Sequence, residues 1–167
     1  AGFDGDEAAE IGLGGAQFFA EQCERLKGDI VTEELDLHGK PVPATSVPAV
    51  RIAEVVVHHH DLDTTWTVAE ADPDSLLNAV TAGVLNLSVK DSPGLTIVAD
   101  EGDEWVVGDG SLRVEGDREG ILDWLSRGRT EGIYLPEGVD EAPQLPYGYP
   151  AMTFVAMVPP WWRRRMN

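Results

Sequence analysis

A glutamate and a histidine four residues apart, Glu54 and His58, are the side chains in this sequence best placed to do chemistry. They lie in the stretch TSVPAVRIAEVVVHHHDL, residues 45–62. Read as a helix, the stretch puts Val47, Arg51, Glu54, His58 and Asp61 along one side, because positions three and four apart share a face. The rest is nearly all apolar, and a helix that is apolar all round is a buried one. Polar groups on it must be paired, hydrogen-bonded or metal-bound. At the roughly 6 Å spacing of i, i+4 neighbours, Glu54 and His58 can hold one metal ion between them. Three consecutive valines also suit a strand. In a strand the two would stand about 13 Å apart, too far to chelate one ion. The helix is the better reading: Thr45 or Ser46 can cap it, Pro48 suits its first turn, and the run exceeds ordinary strand length.

Beside this pair the other polar residues have plainer readings. Arg51 is a partner for Glu54 when no metal is present. Asp61 either orients His58 from behind or ends the helix. His59 and His60 point to other faces and read as exposed or packed residues. Cys23 reads as a core residue, since no basic neighbour or helix start would activate its thiol. His38 sits in a turn.

Composition narrows the partners. Thirty acidic against twelve basic residues give a formal net charge of -18. That balance argues against nucleic acid, which requires a basic face. No apolar run is long enough to span a bilayer, and there is no secretory signal pattern. A single cysteine excludes an internal disulfide and fits a reducing cytoplasm. The sequence opens on Ala1 without methionine, as a processed or truncated product would.

The elements that must position the pair follow from local signals. Residues 6–28 read as a helix with an apolar stripe of Ile11, Phe18, Phe19, Cys23 and Leu26. Residues 29–44 read as a connector with a short hairpin turning at His38–Pro41. Asp72-Pro73-Asp74 starts a helix over 73–88. The segments 95–100, 104–108 and 111–116 read as three strands of an antiparallel meander. Asp117 caps a helix over 118–128, which Gly128 ends. A Pro-rich irregular stretch follows, then a possible final strand over 151–158. The end, Pro159-Pro160-Trp161-Trp162-Arg163-Arg164-Arg165, reads as a solvated tail that lays tryptophan on the body. The fold class is α+β, with a helical part over residues 1–66 and an α+β part over 67–167.

Residues 39–62, GKPVPATSVPAVRIAEVVVHHHDL, resemble the signature of the mycothiol-dependent maleylpyruvate isomerase family. The resemblance rests on Gly39, Lys40, Val42, Pro43, Ala44, Arg51, Glu54, Val55, His58, Asp61 and Leu62. It implies a DinB-like helical bundle whose divalent metal, zinc by default, is held by Glu54, His58 and a histidine from an earlier helix. It also implies a C-terminal domain resembling sterol carrier protein. There ILDWLSRGRTEGI (121–133) matches a helix end tied to activity, and either Arg127 or Arg129 takes the arginine's place. Pro159-Pro160-Trp161-Trp162 is similar to the family's C-terminal element. The family's first two helices, with the first histidine, have no counterpart here; residues 6–28 resemble the third, shortened. A partner chain or an upstream segment would then complete the bundle. The activity implied is thiol-mediated isomerisation or S-transfer, with mycothiol as cofactor and an electrophilic small molecule as substrate. The alternative is a noncatalytic binding or interaction module with a degenerate metal site.

Overall fold

The computed structural model describes residues 34–37, 39–59 and 65–146, together with Gly14, Gly15, Gln17, Phe18, Ala20, Glu21 and Glu24, all seven of which are helical. Cys23, His38, His60, Asp61, the expected strand over 151–158 and the Trp-Arg tail lie outside the described residues.

After these residues comes an antiparallel hairpin of β1 (Glu34–Leu37) and β2 (Lys40–Pro43), with Leu37 opposite Lys40. Its turn depends on Gly39, whose φ of 83° suits a residue without a side chain. The Gly39 N–H donates to Asp36 Oδ1 at 3.0 Å. A 3-10 turn over Ala44–Ser46 then leads into α1 (Val47–His59). The helical reading of this stretch holds. The Val47 N–H bonds the Ala44 carbonyl, so the 3-10 turn supplies a backbone partner for a helix-start N–H.

The next elements start where their caps predict. Asp72 accepts a bond from the Ser75 N–H at 2.9 Å and opens α2 (Pro73–Ser88). Asp117 accepts from the Gly120 N–H at 2.7 Å and opens α3 (Arg118–Arg127). α2 is the central helix and buries Ala79, Val80, Ala82, Gly83, Val84 and Leu87. α1 packs along one of its sides and α3 along another. At the α2–α3 contact a side chain on Gly83 would come within 3.2 Å of Leu125 Cδ1, so glycine sets how closely these helices approach.

The sheet corrects the expected antiparallel meander. Its strands are β3 (Leu95–Ala99), β4 (Glu104–Val107), β5 (Leu112–Gly116) and β6 (Ile133–Tyr134), in the order β4-β3-β5-β6. β3 and β4 form an antiparallel hairpin, but β5 lies parallel to β3 on its far side. After β4 the chain crosses the start of β3 through Gly108-Asp109-Gly110, whose glycines have φ of 60° and 65°. The crossing is tight: a side chain on Gly94 would collide with the Asp109 carboxylate. The Leu112 N–H to Gly94 carbonyl bond (3.1 Å) and the Thr96 Oγ1–H to Gly110 carbonyl bond (3.0 Å) hold it. The sheet is therefore mixed, and β3 has a strand on both sides.

Alternation places Leu95, Ile97 and Val114 on the sheet's inner face. They join one core with Val80, Ile121, Leu122 and Trp124, and the same core takes in Ala53, Val56 and Val57 of α1. Helices on either side of the expected boundary between residues 66 and 67 thus bury their apolar faces together. No helix among the described residues is long and apolar enough to cross a membrane.

Candidate functional site

The position of Glu54 and His58 follows from how α1 packs. Ala53, Val56 and Val57 turn fully inward, while Arg51 and Val55 face solvent. Glu54 and His58 fall on the margin between these faces, with side chains 12% and 18% exposed. One helical turn stacks them, and His58 Nε2 lies 3.5 Å from Glu54 Oε2. Arg51 is exposed, so the partner the structure gives Glu54 is His58 rather than Arg51.

The separation can be tested against a metal. Two nitrogen or oxygen ligands, each about 2.0–2.1 Å from a tetrahedral ion, stand about 3.3–3.4 Å apart. The Glu54–His58 separation is close to that figure. Glu54 Oε2 is buried and accepts no hydrogen bond from the described residues, although a buried carboxylate oxygen ordinarily finds a donor or a cation. The pair therefore fits half of a zinc site. Among the described residues no group of three His, Cys, Asp or Glu side chains gathers to make a whole one. The other half is not supplied by His59. Its ring stacks on Trp66, with centroids 4.3 Å apart and planes 7° from parallel, so His59 is the packed residue that helical geometry implies.

The two candidate arginines are separated by the end of α3. Gly128, at φ 71°, adopts the left-handed conformation that stops the helix, and its N–H bonds the Trp124 carbonyl. Arg127 precedes this reversal and is half-buried. Its Nη2 donates to the Val57 carbonyl of α1 at 3.4 Å, across seventy positions of sequence. Arg129 follows the reversal, is exposed, and meets Asp123 at 3.4 Å. The structure thus brings Arg127 to the residue before His58 and leaves Arg129 on the surface. The match of sequence motifs cannot separate the two; the direction in which the chain leaves Gly128 does.

Two features of this region had no clear sequence signal. The first is Trp66, seven positions beyond His59, which stacks on that histidine of α1. The second is a pair of hollows flanking residues 142–144, in the stretch read as an irregular Pro-rich tail. One, of about 110 Å³, lies against Trp124, Leu125 and Gly128. The other, of about 410 Å³, opens between β6 and Asp140–Gln144. Leu135 and Leu145 were the available signal, since apolar residues spaced through such a stretch imply that it packs on the body; Leu145 is buried and Leu135 half-buried.

Comparison of the chain with protein-family models, with curated proteins and with solved structures finds no match.

Proposed function

We propose that this chain works as part of a mycothiol-dependent metalloenzyme of the maleylpyruvate isomerase type, catalysing a thiol-mediated isomerisation or S-transfer. The observation that carries the reading is the pairing of Glu54 with His58 on the margin of a buried helix, 3.5 Å apart. The motif around them, residues 39–62, supplies the resemblance. The α+β class is the one that a partial DinB-like bundle ahead of a sterol-carrier-like unit would have.

In this reading Glu54 and His58 hold a divalent ion, zinc by preference. When bound, the ion would lower the pKa of a coordinated thiol so that mycothiol reacts as the thiolate. The third donor is one the described residues do not include, from elsewhere in this chain, an upstream segment or a partner chain. His58 must stay neutral to donate its ring nitrogen. Arg127 holds the end of α1 and presents its charge there, where a carboxylate of the electrophilic substrate or the cofactor would be bound and oriented. The setting is the cytoplasm, where small-molecule thiols stay reduced.

One observation favours a second reading, a noncatalytic binding module that keeps the fold with a degenerate site: among the described residues no three-donor group forms. Elemental analysis of zinc in the complete protein, paired with a mycothiol-transfer assay, separates the two. Near-stoichiometric zinc and thiol transfer, both lost in Glu54→Ala and His58→Ala, support the enzyme. Wild-type protein without zinc, or with zinc unchanged in His58→Ala, supports the binding module.

A further inference from the structure

The larger hollow, of about 410 Å³, has a floor and a rim of different character. Ile133, Leu135 and Ala142 form the floor and pack against the main core. Asp140 and Glu141 form an exposed acidic rim. Glu131 and Glu137, both exposed, extend the negative charge along the same stretch of chain, and residues 130–146 contain no lysine or arginine. The Glu54–His58 contact and the ion pairs between described residues, Arg113–Glu104, Arg113–Glu115, Arg118–Asp103 and Arg129–Asp123, include none of these four acids. An apolar floor under an uncompensated acidic rim suits an occupant that is aromatic and cationic together.

One segment of the chain has that chemistry. Arg163-Arg164-Arg165 is the sole run of three consecutive lysine or arginine residues in the sequence, and Trp161 and Trp162 precede it directly. It lies outside the described residues, which end at Pro146, fifteen positions before Trp161. Fifteen residues can extend across about 50 Å, so reach does not limit the contact. At about 410 Å³ the hollow is open and leaves room for an indole ring. Tethering to the same chain raises the effective concentration of such a segment to about the millimolar range, so a weak contact would suffice.

We propose that this hollow is a docking site for the chain's own Trp161–Arg165 segment. The tryptophans cover Ile133, Leu135 and Ala142, and the arginines meet Asp140 and Glu141. The contact is intramolecular and sensitive to salt, because the charges on its rim face solvent.

Trypsin provides the test, since it cuts after arginine only where the chain is accessible. The full chain is digested briefly, and cleavage after Arg163, Arg164 and Arg165 is followed by mass spectrometry. A synthetic peptide of residues 159–167 serves as the undocked control under every condition. We expect cleavage in the chain to be roughly tenfold slower than in the peptide at low salt, as a docked fraction of about 90% requires. The exposed-site double variant Asp140→Asn, Glu141→Gln, and 0.5 M salt on the wild type as a second and mutation-free route (~0.5 M leaves a Debye length of only a few ångströms), should each remove most of that protection. Cleavage of the wild-type chain at the peptide's rate would overturn the proposal. Protection that neither the variant nor salt relieves would place the tail elsewhere, and that too would overturn it. Protection that grows with protein concentration would show the tail of a second copy in the hollow and refute the intramolecular contact.

Discussion

His58 Nε2 and Glu54 Oε2 stand 3.5 Å apart on the half-buried margin of α1, one turn from each other. That separation is what two ligands of one small ion adopt. Among the described residues it is the one acid–histidine contact; the ion pairs join arginines to carboxylates and, Arg118–Asp103 apart, are well exposed. Four predictions follow from the site and the elements that hold it.

Zinc content should respond to Glu54 and His58 and not to their neighbour. Glu54→Ala and His58→Ala should each lower the bound zinc of the complete protein at least tenfold, the scale of a lost ligand. His59→Ala should leave zinc unchanged. It should lower stability by about 1 kcal/mol, because it removes the ring stacked on Trp66. Zinc affinity should fall as pH drops through the histidine range, since protonation removes the ring nitrogen's lone pair. Elemental analysis and a competitive zinc titration at several pH values check the zinc predictions, and urea unfolding of His59→Ala checks the stability.

Arg127 and Arg129 should behave differently. Arg127→Ala removes a charged donor from the last turn of α1, where a cation at the carbonyl end is favourable. It should cost about 1 kcal/mol in urea unfolding, less than a short charged hydrogen bond would, given the 3.4 Å length. Arg129→Ala loses an exposed pair with Asp123 and should fall within about 0.5 kcal/mol of wild type. If thiol transfer is measurable, Arg127→Ala should reduce it and Arg129→Ala should not. Equal losses from both substitutions would remove the distinction drawn here.

Gly128→Ala should destabilise by about 1–2 kcal/mol, the cost of holding a side chain in the left-handed region at φ 71°. The substitution also strains the reversal that sends Arg127 and Arg129 different ways. Any activity should therefore fall further than the stability loss alone explains. Thermal melts run beside the transfer assay separate the two effects.

Asp72 makes α2 sensitive to acid. Its bonds from Ser75 hold the carboxyl below its ordinary 3.8. A carboxyl whose pKa is lower folded than unfolded stabilises fully above the unfolded value. That contribution is lost as pH falls below about 3.8 and through the lower folded value. Asp72→Asn should melt below wild type at neutral pH, and the gap should narrow below pH ~4 as the wild-type carboxyl takes up its proton. A gap that stays constant down to about pH 2 would contradict the charge-based role of this cap.

What was legible in the sequence is what neighbouring residues decide among themselves. Asp72-Pro73 and Asp117 mark the starts of α2 and α3, because a capping carboxylate needs only the next three residues to find its N–H groups. Gly128 marks the end of α3 for an equally local reason. The stacking of Glu54 on His58 follows from helical pitch once α1 is granted, and the polar stripe in an apolar run argued for that helix. The β1–β2 turn is carried by Gly39.

What only the tertiary structure decided is which distant groups meet. The alternation in LTIVAD, EWVVG and SLRVEG identifies strands but is the same for an antiparallel neighbour and a parallel one. The Gly108–Gly110 crossing beneath Gly94 places β5 beside β3, and that depends on how the sheet packs on α2 and α3. Arg127 and Arg129 flank one glycine and look equivalent in the motif. The packing of α1 into the shared core brings the Val57 carbonyl to Arg127 and leaves Arg129 in solvent with Asp123. His59 and Trp66 are likewise brought together, ring on ring, by packing that no local spacing specifies. Contacts of this kind are made between groups far apart in sequence, and no local spacing encodes them; they exist because burying Ala53, Val56 and Val57 against α2 brings those groups to one place.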